Sequence, residues 1–304
     1  MAAESKKTVL AALAANAVIA VAKFIGGLLS GSAAMLAEAA HSVADTVNQG
    51  FLLLSLALGA RRPDEQHPFG HGKERFFWAF VAAVFIFVAG AVFSIGEGVR
   101  SLLSESGEAG SALVSYIVLG VALAAESAAW VRAFRQVRSA AGRLGRGVRA
   151  FLRVSRDPTV KTALFEDSAA VLGVLVAFGG LGLHQATGDH RWDAAASIVI
   201  GLILAVAAFV LARDTKGLLL GEAALPEERD RLRRAIEGAE GVEGVGELLT
   251  MALGPEALLV TARLNLRSGL DADDVERLAG EVDRRCREAV PAVTEVFLDP
   301  TPAR

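Results

Sequence analysis

Residues 35–50 read MLAEAAHSVADTVNQG and carry a polar stripe within an apolar part of the chain. Glu38, His41, Asp45 and Asn48 are spaced by three or four positions, so on an α-helix they share one face. Strongly apolar runs lie on both sides of this stretch. If the segment spans a membrane, each ionisable side chain costs several kcal/mol unless it has a partner. The stripe therefore predicts a membrane helix whose polar face has a function.

The composition is typical of an integral membrane protein. Of the 304 residues, 53% are hydrophobic, which is more than an ordinary soluble protein of this size contains. Charges are segregated, because residues 222–304 are rich in Asp, Glu and Arg whereas the first 220 residues concentrate theirs in short loops. We expect no nucleic-acid partner. Cys286 is the only cysteine, so neither an intrachain disulfide nor a cysteine-rich zinc module can form.

Six segments are apolar enough to cross a membrane, which takes about 20 residues per helix. They lie at roughly 8–29, 32–58, 76–100, 112–131, 160–183 and 193–212. An even number of spans places both termini on one side. The connection from Arg132 to Lys161 holds eight arginines and one lysine against a single acid, Asp157, so the positive-inside rule makes it cytoplasmic. The sequence predicts a multi-pass protein with cytoplasmic termini, whose basic connection has affinity for anionic membrane lipid.

From residue 221 onward the pattern changes to that of a small α+β domain. A charged amphipathic helix is predicted over 226–237. Two apolar runs divided by Gly254-Pro255 predict a β-hairpin. A second helix begins near Asp271, with acids in its first turn and bases in its last turns, and TEVFLDP is typical of a strand. A domain of this size is better stabilised by association than in isolation.

His41 and Asp45 form an i, i+4 pair, which lets an imidazole nitrogen and a carboxylate oxygen approach one cation. The alternative is a His–Asp hydrogen bond that packs two helices together, and spacing alone leaves both open. Glu166 and Asp167 fall in the fifth span. At about 1.5 Å per residue, Asp45 lies about 20 Å and Asp167 about 18 Å from the external edge. Carboxylates at one depth repel each other unless a divalent cation or protons neutralise them, which predicts a cation site that also titrates.

Along nearly its whole length, the chain resembles the cation diffusion facilitators. The resemblance rests on SGSAAMLAEAAHSVADTVNQG, HPFGHGKER, ALFEDSAAVLGVLVA, and DAAASIVIGLIL followed by LLLGEA. It implies a six-helix transmembrane domain over residues 1–212 and a cytoplasmic ferredoxin-like dimerisation domain over residues 213–304. It further implies a homodimer in a bacterial inner membrane that exports zinc, or a related divalent metal, in exchange for protons. The resemblance assigns His41, Asp45 and Asp167 as ligands of the transport site.

One position departs from the family pattern. The family usually places a fourth ligand, often His or Asp, four residues before the fifth-helix aspartate, where this chain has Ala163. Glu166 could substitute, although it points about 100° away from Asp167 around an ideal helix. Asn48 is another oxygen donor and Asn16 a weaker one. One imidazole with several oxygens selects zinc less strictly than two imidazoles would, so manganese and iron stay open.

A second candidate metal site lies in the cytoplasmic loop DEQHPFGH. Asp64, His67 and His71 are spaced by three and four residues, and the family uses matching positions for a loop metal site. The alternative is a turn set by Pro68 and Gly70 with solvated histidines, and both interpretations stay open.

Three other charged residues fall within the predicted spans. We interpret Glu38 and Glu126 as helix-packing or proton-relay groups rather than ligands. Lys23 either pairs with one of them or reaches for the interface, and the sequence does not decide.

The cytoplasmic domain lacks the histidines with which the family often binds zinc between protomers. No histidine follows His190, and Phe297 stands where one could have joined Asp299. We therefore expect no tight zinc site in residues 213–304.

The sequence thus predicts a metal/proton antiporter with alternating access, not an enzyme, and zinc is the first choice of metal. A different class of protein would be an intramembrane metallohydrolase, with the same ligands and an open coordination position for water. No additional constellation for polarising a substrate accompanies these ligands. A non-transporting metal sensor, in which the cytoplasmic domain signals, is the other alternative.

Overall fold

The computed structural model describes residues 2–104, 112–143, 145–155 and 158–300. Helices account for most of the first 220 residues, and a mixed α/β region follows. Contacts divide the chain into two compact units. The first comprises Met1–Ser55 and Trp78–Thr215, and the second comprises Leu56–Phe77 and Lys216–Arg304.

Long helices build the first unit. Their bounds are α1 Ala2–Ser30, α2 Ala33–Gly59, α3 Glu74–Phe85, a π-helical segment Ile86–Val92, α4 Phe93–Leu103, α5 Ala112–Arg143, α6 Val148–Val154, α7 Pro158–Thr187 and α8 Arg191–Leu220. The π-helical segment joins α3 and α4 into one continuous helix.

Four helices in the described ranges are long and apolar enough to cross a membrane. They are Glu74–Leu103, Leu113–Arg143, Lys161–Thr187 and Arg191–Leu220. The stretch Asn16–Ser30 is a shorter apolar helix. The polar stripe lowers the hydropathy of α2, which is not among the four in the described part of the chain. Every predicted span is helical, and four of the six predicted membrane helices have the length and hydropathy of a membrane span in the described part of the chain.

Asp193 of α8 holds the N-terminus of α2 in place. Its carboxylate accepts a hydrogen bond from the Ser32 hydroxyl at 2.7 Å and from the Ala33 amide at 2.6 Å. A carboxylate at this end of a helix satisfies free amide groups and complements the helix dipole. The contact fixes the depth at which the stripe of α2 lies beside α8.

Small residues allow α4 and α8 to pack closely. A Cβ atom added to Gly98 would lie 2.7 Å from the Ala194 carbonyl oxygen, which is closer than Cβ atoms approach other atoms in real structures. Ser197 donates a hydrogen bond to the Ser94 carbonyl at 2.7 Å. Close backbone approach with interhelical hydrogen bonding is typical of helices that pack within a membrane.

The second unit contains, within its described residues, a three-stranded sheet and two helices. Their bounds are α9 Pro226–Glu237, β1 Val242–Gly254, β2 Ala257–Leu266, α10 Ala272–Ala289 and β3 Val293–Asp299. The strand order is β1-β2-β3, with β1 and β2 antiparallel and β2 and β3 parallel. The predicted order of helix, strand, strand, helix and strand is confirmed.

The two faces of this sheet differ. Leu258 and Val260 of β2 are buried in one core with Ile236 of α9 and Val282 of α10. Phe297 points to the other face and is half exposed. The sheet therefore has one face covered by α9 and α10 and one face free of them.

Candidate metal sites

The loop between α2 and α3 brings Asp64, His67 and His71 together. Their ligand atoms all lie within 4.8 Å of one another, and no other group of three or more such residues reaches that spacing among the described residues. The His67 Nδ1 atom lies 3.2 Å from Asp64 Oδ1, and the His71 Nε2 atom lies 3.1 Å from Asp64 Oδ2. Two imidazoles and a carboxylate are a donor set that suits zinc. A modest contraction around an ion would complete three ligands.

Backbone contacts shape this loop. The amide of His67 donates to Asp64 Oδ1 at 2.7 Å, and the amide of Gly70 donates to the His67 carbonyl at 2.9 Å. Gly70 has a φ of 81°, a backbone conformation that would be strained in a residue with a side chain. The turn predicted from Gly70 is therefore present, and it coexists with the clustered histidines.

The same loop packs on the C-terminal sheet, within the second unit. The rings of Phe69 and Phe297 meet edge to face with centroids 6.3 Å apart. A Cβ atom on Gly72 would lie 2.6 Å from the Leu253 carbonyl oxygen, so the loop backbone lies directly against the end of β1. Phe297, where the family could have placed a zinc-binding histidine, serves as a packing surface for the loop.

Hydrogen bonds to Asp64 prepare it as an anionic ligand. The backbone amide of His67, followed by the ring of His71, stabilises the carboxylate and lowers its pKa to about 2. Asp64 is therefore ionised across the neutral and mildly acidic range.

In the membrane region, Asn48 of α2 and Glu166 of α7 contact each other. The Asn48 amide donates to Glu166 Oε2 at 2.5 Å. Both residues are buried, with 0% and 6% of their surface exposed. Their other oxygens, Asn48 Oδ1 and Glu166 Oε1, have no hydrogen-bond partner in the described part of the chain. Two buried acceptor atoms without donors are costly unless a cation or a proton satisfies them.

The carboxylates of Asp45 and Asp167 lie near this pair. The charge of Asp45 interacts with that of Asp167, and Glu166 interacts with both. Asp45 Oδ2 accepts hydrogen bonds from Asn16 of α1 at 3.2 Å and from Gln49 at 3.4 Å. The amide end of Asn16 thus faces the carboxylate, where it orients Asp45 rather than offering an oxygen to a cation.

His41 is also buried, with 3% of its surface exposed. Its Nδ1 atom lacks a hydrogen-bond partner among the residues described. Asp45 uses Asn16 and Gln49 as donors instead, so the alternative of a His41–Asp45 packing pair gains no support from these contacts.

The structure does not close the predicted membrane ligands around one point. Within the described residues, His41, Asp45 and Asp167 do not have all their ligand atoms within 4.8 Å of one another. The structure thus joins Asn48 with Glu166 and places Asp45 and Asp167 within electrostatic range. A shared cation at this site would require the helices to draw closer.

Lys23 forms a buried ion cluster. The sequence alone did not decide which partner this lysine has. Its ammonium lies 3.0 Å from Glu38 and 3.5 Å from Glu126, so it pairs with both acids rather than with one. It also donates to the Ser42 hydroxyl at 2.8 Å. In the sequence, the feature that indicated such a cluster was a lone basic residue within an apolar span, together with two acidic residues in other spans.

The fold and the sites define a multi-pass integral membrane protein with grouped ionisable side chains within its helices. Comparison of the sequence with protein families gives the more specific result. The model of the cation efflux transmembrane domain matches residues 9–220. The chain belongs to this family, as its resemblance to the cation diffusion facilitators predicted, and members of the family are transporters rather than enzymes.

Three relatives illustrate the range of the family. The human mitochondrial proton-coupled zinc antiporter SLC30A9 is 32% identical over 283 residues, covering 91% of this chain and 50% of its own. Metal tolerance protein C4 of Arabidopsis thaliana is 30% identical over 86% of this chain and 57% of its own. The manganese efflux system protein MneP of Bacillus subtilis is 24% identical over 98% of this chain and 96% of its own. The chain spans about half the length of the zinc antiporter that it matches.

Proposed function

We propose that this protein exports a divalent metal cation, zinc in the first place, in exchange for protons by alternating access. The observation that carries the proposal is three buried polar atoms that lack a hydrogen-bond partner among the described residues: Asn48 Oδ1, Glu166 Oε1 and His41 Nδ1. They accompany the interacting charges of Asp45 and Asp167 in a helical membrane region.

Such a site suits a transported cation better than a permanently bound one. A divalent ion would satisfy the free acceptors and remove the repulsion between carboxylates. The ligand atoms are gathered loosely, so a small movement of α2 relative to α7 changes how well they hold an ion. Binding requires neutral imidazole and ionised carboxylates, so protons and metal compete for the same atoms. This competition supplies the exchange.

Zinc is proposed first because SLC30A9 is named a proton-coupled zinc antiporter. Manganese is the second candidate, because MneP is named a manganese efflux protein and matches nearly the whole chain. The oxygen-rich donor set of the membrane site is compatible with both metals, and iron is retained on the same grounds.

The proposal extends to the architecture. Six membrane helices over 1–212 and a ferredoxin-like domain over 213–304 would form a homodimer with both termini in the cytoplasm. A bacterial inner membrane is its proposed location. The loop residues Asp64, His67 and His71 are proposed as a second metal site, supported by their mutual proximity. His41, Asp45, Asp167, Glu166 and Asn48 are the proposed residues of the transport site.

Transport into sealed proteoliposomes tests the proposal. The reconstituted protein is expected to move zinc across the bilayer under a proton gradient, and competition by manganese and iron in the same assay ranks the metals. Neither an intramembrane metallohydrolase nor a metal sensor would move metal, so zinc binding without zinc movement would contradict the proposal.

A further inference from the structure

Lys23 is a fully buried cation in the part of the chain closest to the proposed transport site. Its exposed fraction is 0%. The three donors of its ammonium have three acceptors: Glu38 and Ser42 on successive turns of α2, and Glu126 on α5. An ammonium in this setting is costly without such partners. Lys23 thus connects α1, α2 and α5.

The two acids bound to Lys23 have different surroundings. Glu38 is completely buried, and its Oε1 atom lies so close to Gly173 of α7 that a Cβ atom there would collide with it. The Glu126 side chain is 16% exposed and has the longest contact with the ammonium. Glu126 also lines a narrow crevice together with Asp45, Asn16, Ile19 and Ser42.

The charges in this cluster do not cancel. One ammonium faces two carboxylates, and Glu38 is the closer and better enclosed of the two. The cluster therefore has one excess negative charge, which lies mainly at Glu126, beside the crevice. The charge of Glu126 also acts on Asp45 and on Asp167, the two carboxylates proposed as metal ligands.

We propose that Glu126 is a further cation-contacting residue of the transport pathway, and that Lys23 is the positioning residue that holds Glu126 at the crevice. This inference rests on the proposed function, because it assigns a route to the same site. A divalent cation in the crevice meets the carboxylates of Glu126 and Asp45 on opposite elements, α5 and α2.

The kinetics of zinc uptake by full-length protein in proteoliposomes test this role. For Glu126→Gln we expect the apparent KM to rise about tenfold, because one charge-assisted contact is lost. The maximal rate should stay within about twofold of the wild-type rate. KM does not depend on how much protein folds, so a lower yield of the variant leaves the result interpretable. The control is Glu97→Gln, at an acid paired with exposed Arg100 outside this cluster, and it is expected to keep KM within about twofold.

A double variant separates positioning from charge neutralisation. Lys23→Met with Glu38→Gln removes one positive and one negative charge, so the net charge of the cluster stays the same and Glu126 remains. We expect its KM to rise as in Glu126→Gln, and addition of Glu126→Gln to cause no further rise. A wild-type KM in the double variant would overturn the positioning role of Lys23. A wild-type KM in Glu126→Gln would overturn the whole inference.

Calorimetry with zinc and the full-length protein in detergent distinguishes this inference from the proposed function. If wild type binds zinc without transporting it, the proposed function fails. Weaker binding by Glu126→Gln than by Glu97→Gln would still support the cation contact. Equal binding by both variants and wild type would contradict the contact even if transport is intact.

Discussion

Asn48 and Glu166 join α2 to α7 through a 2.5 Å hydrogen bond, and each has one oxygen with no partner in the described ranges. The helix that carries His41 and Asp45 is thereby tied to the helix that carries Asp167. Glu166 is adjacent to Asp167 along α7, so its side chain leaves the helix in a different direction. In that direction it contacts Asn48. We propose that this oxygen pair compensates for the ligand missing at Ala163.

Glu166→Gln should weaken the pH dependence of metal binding. The substitution preserves size but removes a group for which protons and metal compete. We expect the apparent zinc affinity to fall by about tenfold at neutral pH and to change less on acidification than in wild type. Metal-driven proton flux in proteoliposomes provides the measurement. Glu97→Gln, at an acid paired with exposed Arg100, is the control. An unchanged pH profile would remove Glu166 from the site.

His41→Ala and Asp45→Ala should each abolish zinc uptake and leave the proposed dimer intact. Each removes a ligand from a site without a fourth family ligand, so the loss should exceed the roughly 10- to 100-fold caused by changes to outer partners of a metal. Thr46→Ala is the matched control, because its hydroxyl bonds to the backbone of its own helix. Uptake and size-exclusion elution are measured together. Near wild-type uptake by either variant would mean that the stripe is structural.

The sequence predicted those parts of the fold that depend only on the pattern of neighbouring residues. Helical periodicity indicated the long helices, and Asp271 accepts from the Asp274 amide at 2.8 Å as the cap of α10. The break at Gly254-Pro255 separates β1 from β2, as expected. These features depend on neighbours within a few residues along the chain, which a sequence displays directly.

Contacts between distant elements could not be predicted in the same way. The choice of Lys23 between Glu38 and Glu126 depends on how α1, α2 and α5 rotate about their axes, which span predictions leave undetermined. The contact between Phe69 and Phe297 joins residues far apart in the chain, and no periodicity encodes it. Likewise, the orientation of the Asn16 amide toward Asp45 follows from packing rather than from residue type.

His71→Ala should eliminate metal binding by the loop without abolishing transport. The buried imidazole of His71 is one of three clustered ligands, and Asp64 and His67 alone make half a tetrahedral site. Calorimetry on the full-length protein should show one fewer zinc site. Gln66→Ala, at a residue that contacts Asp64 through its backbone amide, is the control. An unchanged number of sites would support solvated histidines in a simple turn.

Acidification should release zinc from the loop through its histidines. The Asp64 pKa of about 2 lies below its unfolded value of about 3.9, so the carboxylate stays ionised until the pH falls toward 2. Since Asp64 stays ionised, acid displaces the metal through the imidazoles, which bind a metal only when they are neutral. Zinc titrations of Asp45→Ala, which isolate the loop site, measure the effect. Retention of loop zinc down to about pH 4 would contradict this order of protonation.

Residues 213–304 should contain no tight zinc site. No histidine lies in this range, and Phe297 packs against Phe69 beside Asp299. Full-length protein carrying both Asp45→Ala and His71→Ala should therefore show no submicromolar zinc binding by calorimetry. A submicromolar site that persists in this variant and disappears with Asp299→Ala would contradict the prediction.

The most direct test of the exchange mechanism is proton flux driven by zinc in proteoliposomes, measured between roughly pH 7.5 and 6, where protons are expected to compete with the metal for its ligands. Zinc moving into the vesicles should drive protons outward, and apparent zinc affinity should fall steeply as the side facing the site is acidified. Movement of zinc without counter-moving protons, across this whole range, would contradict the account.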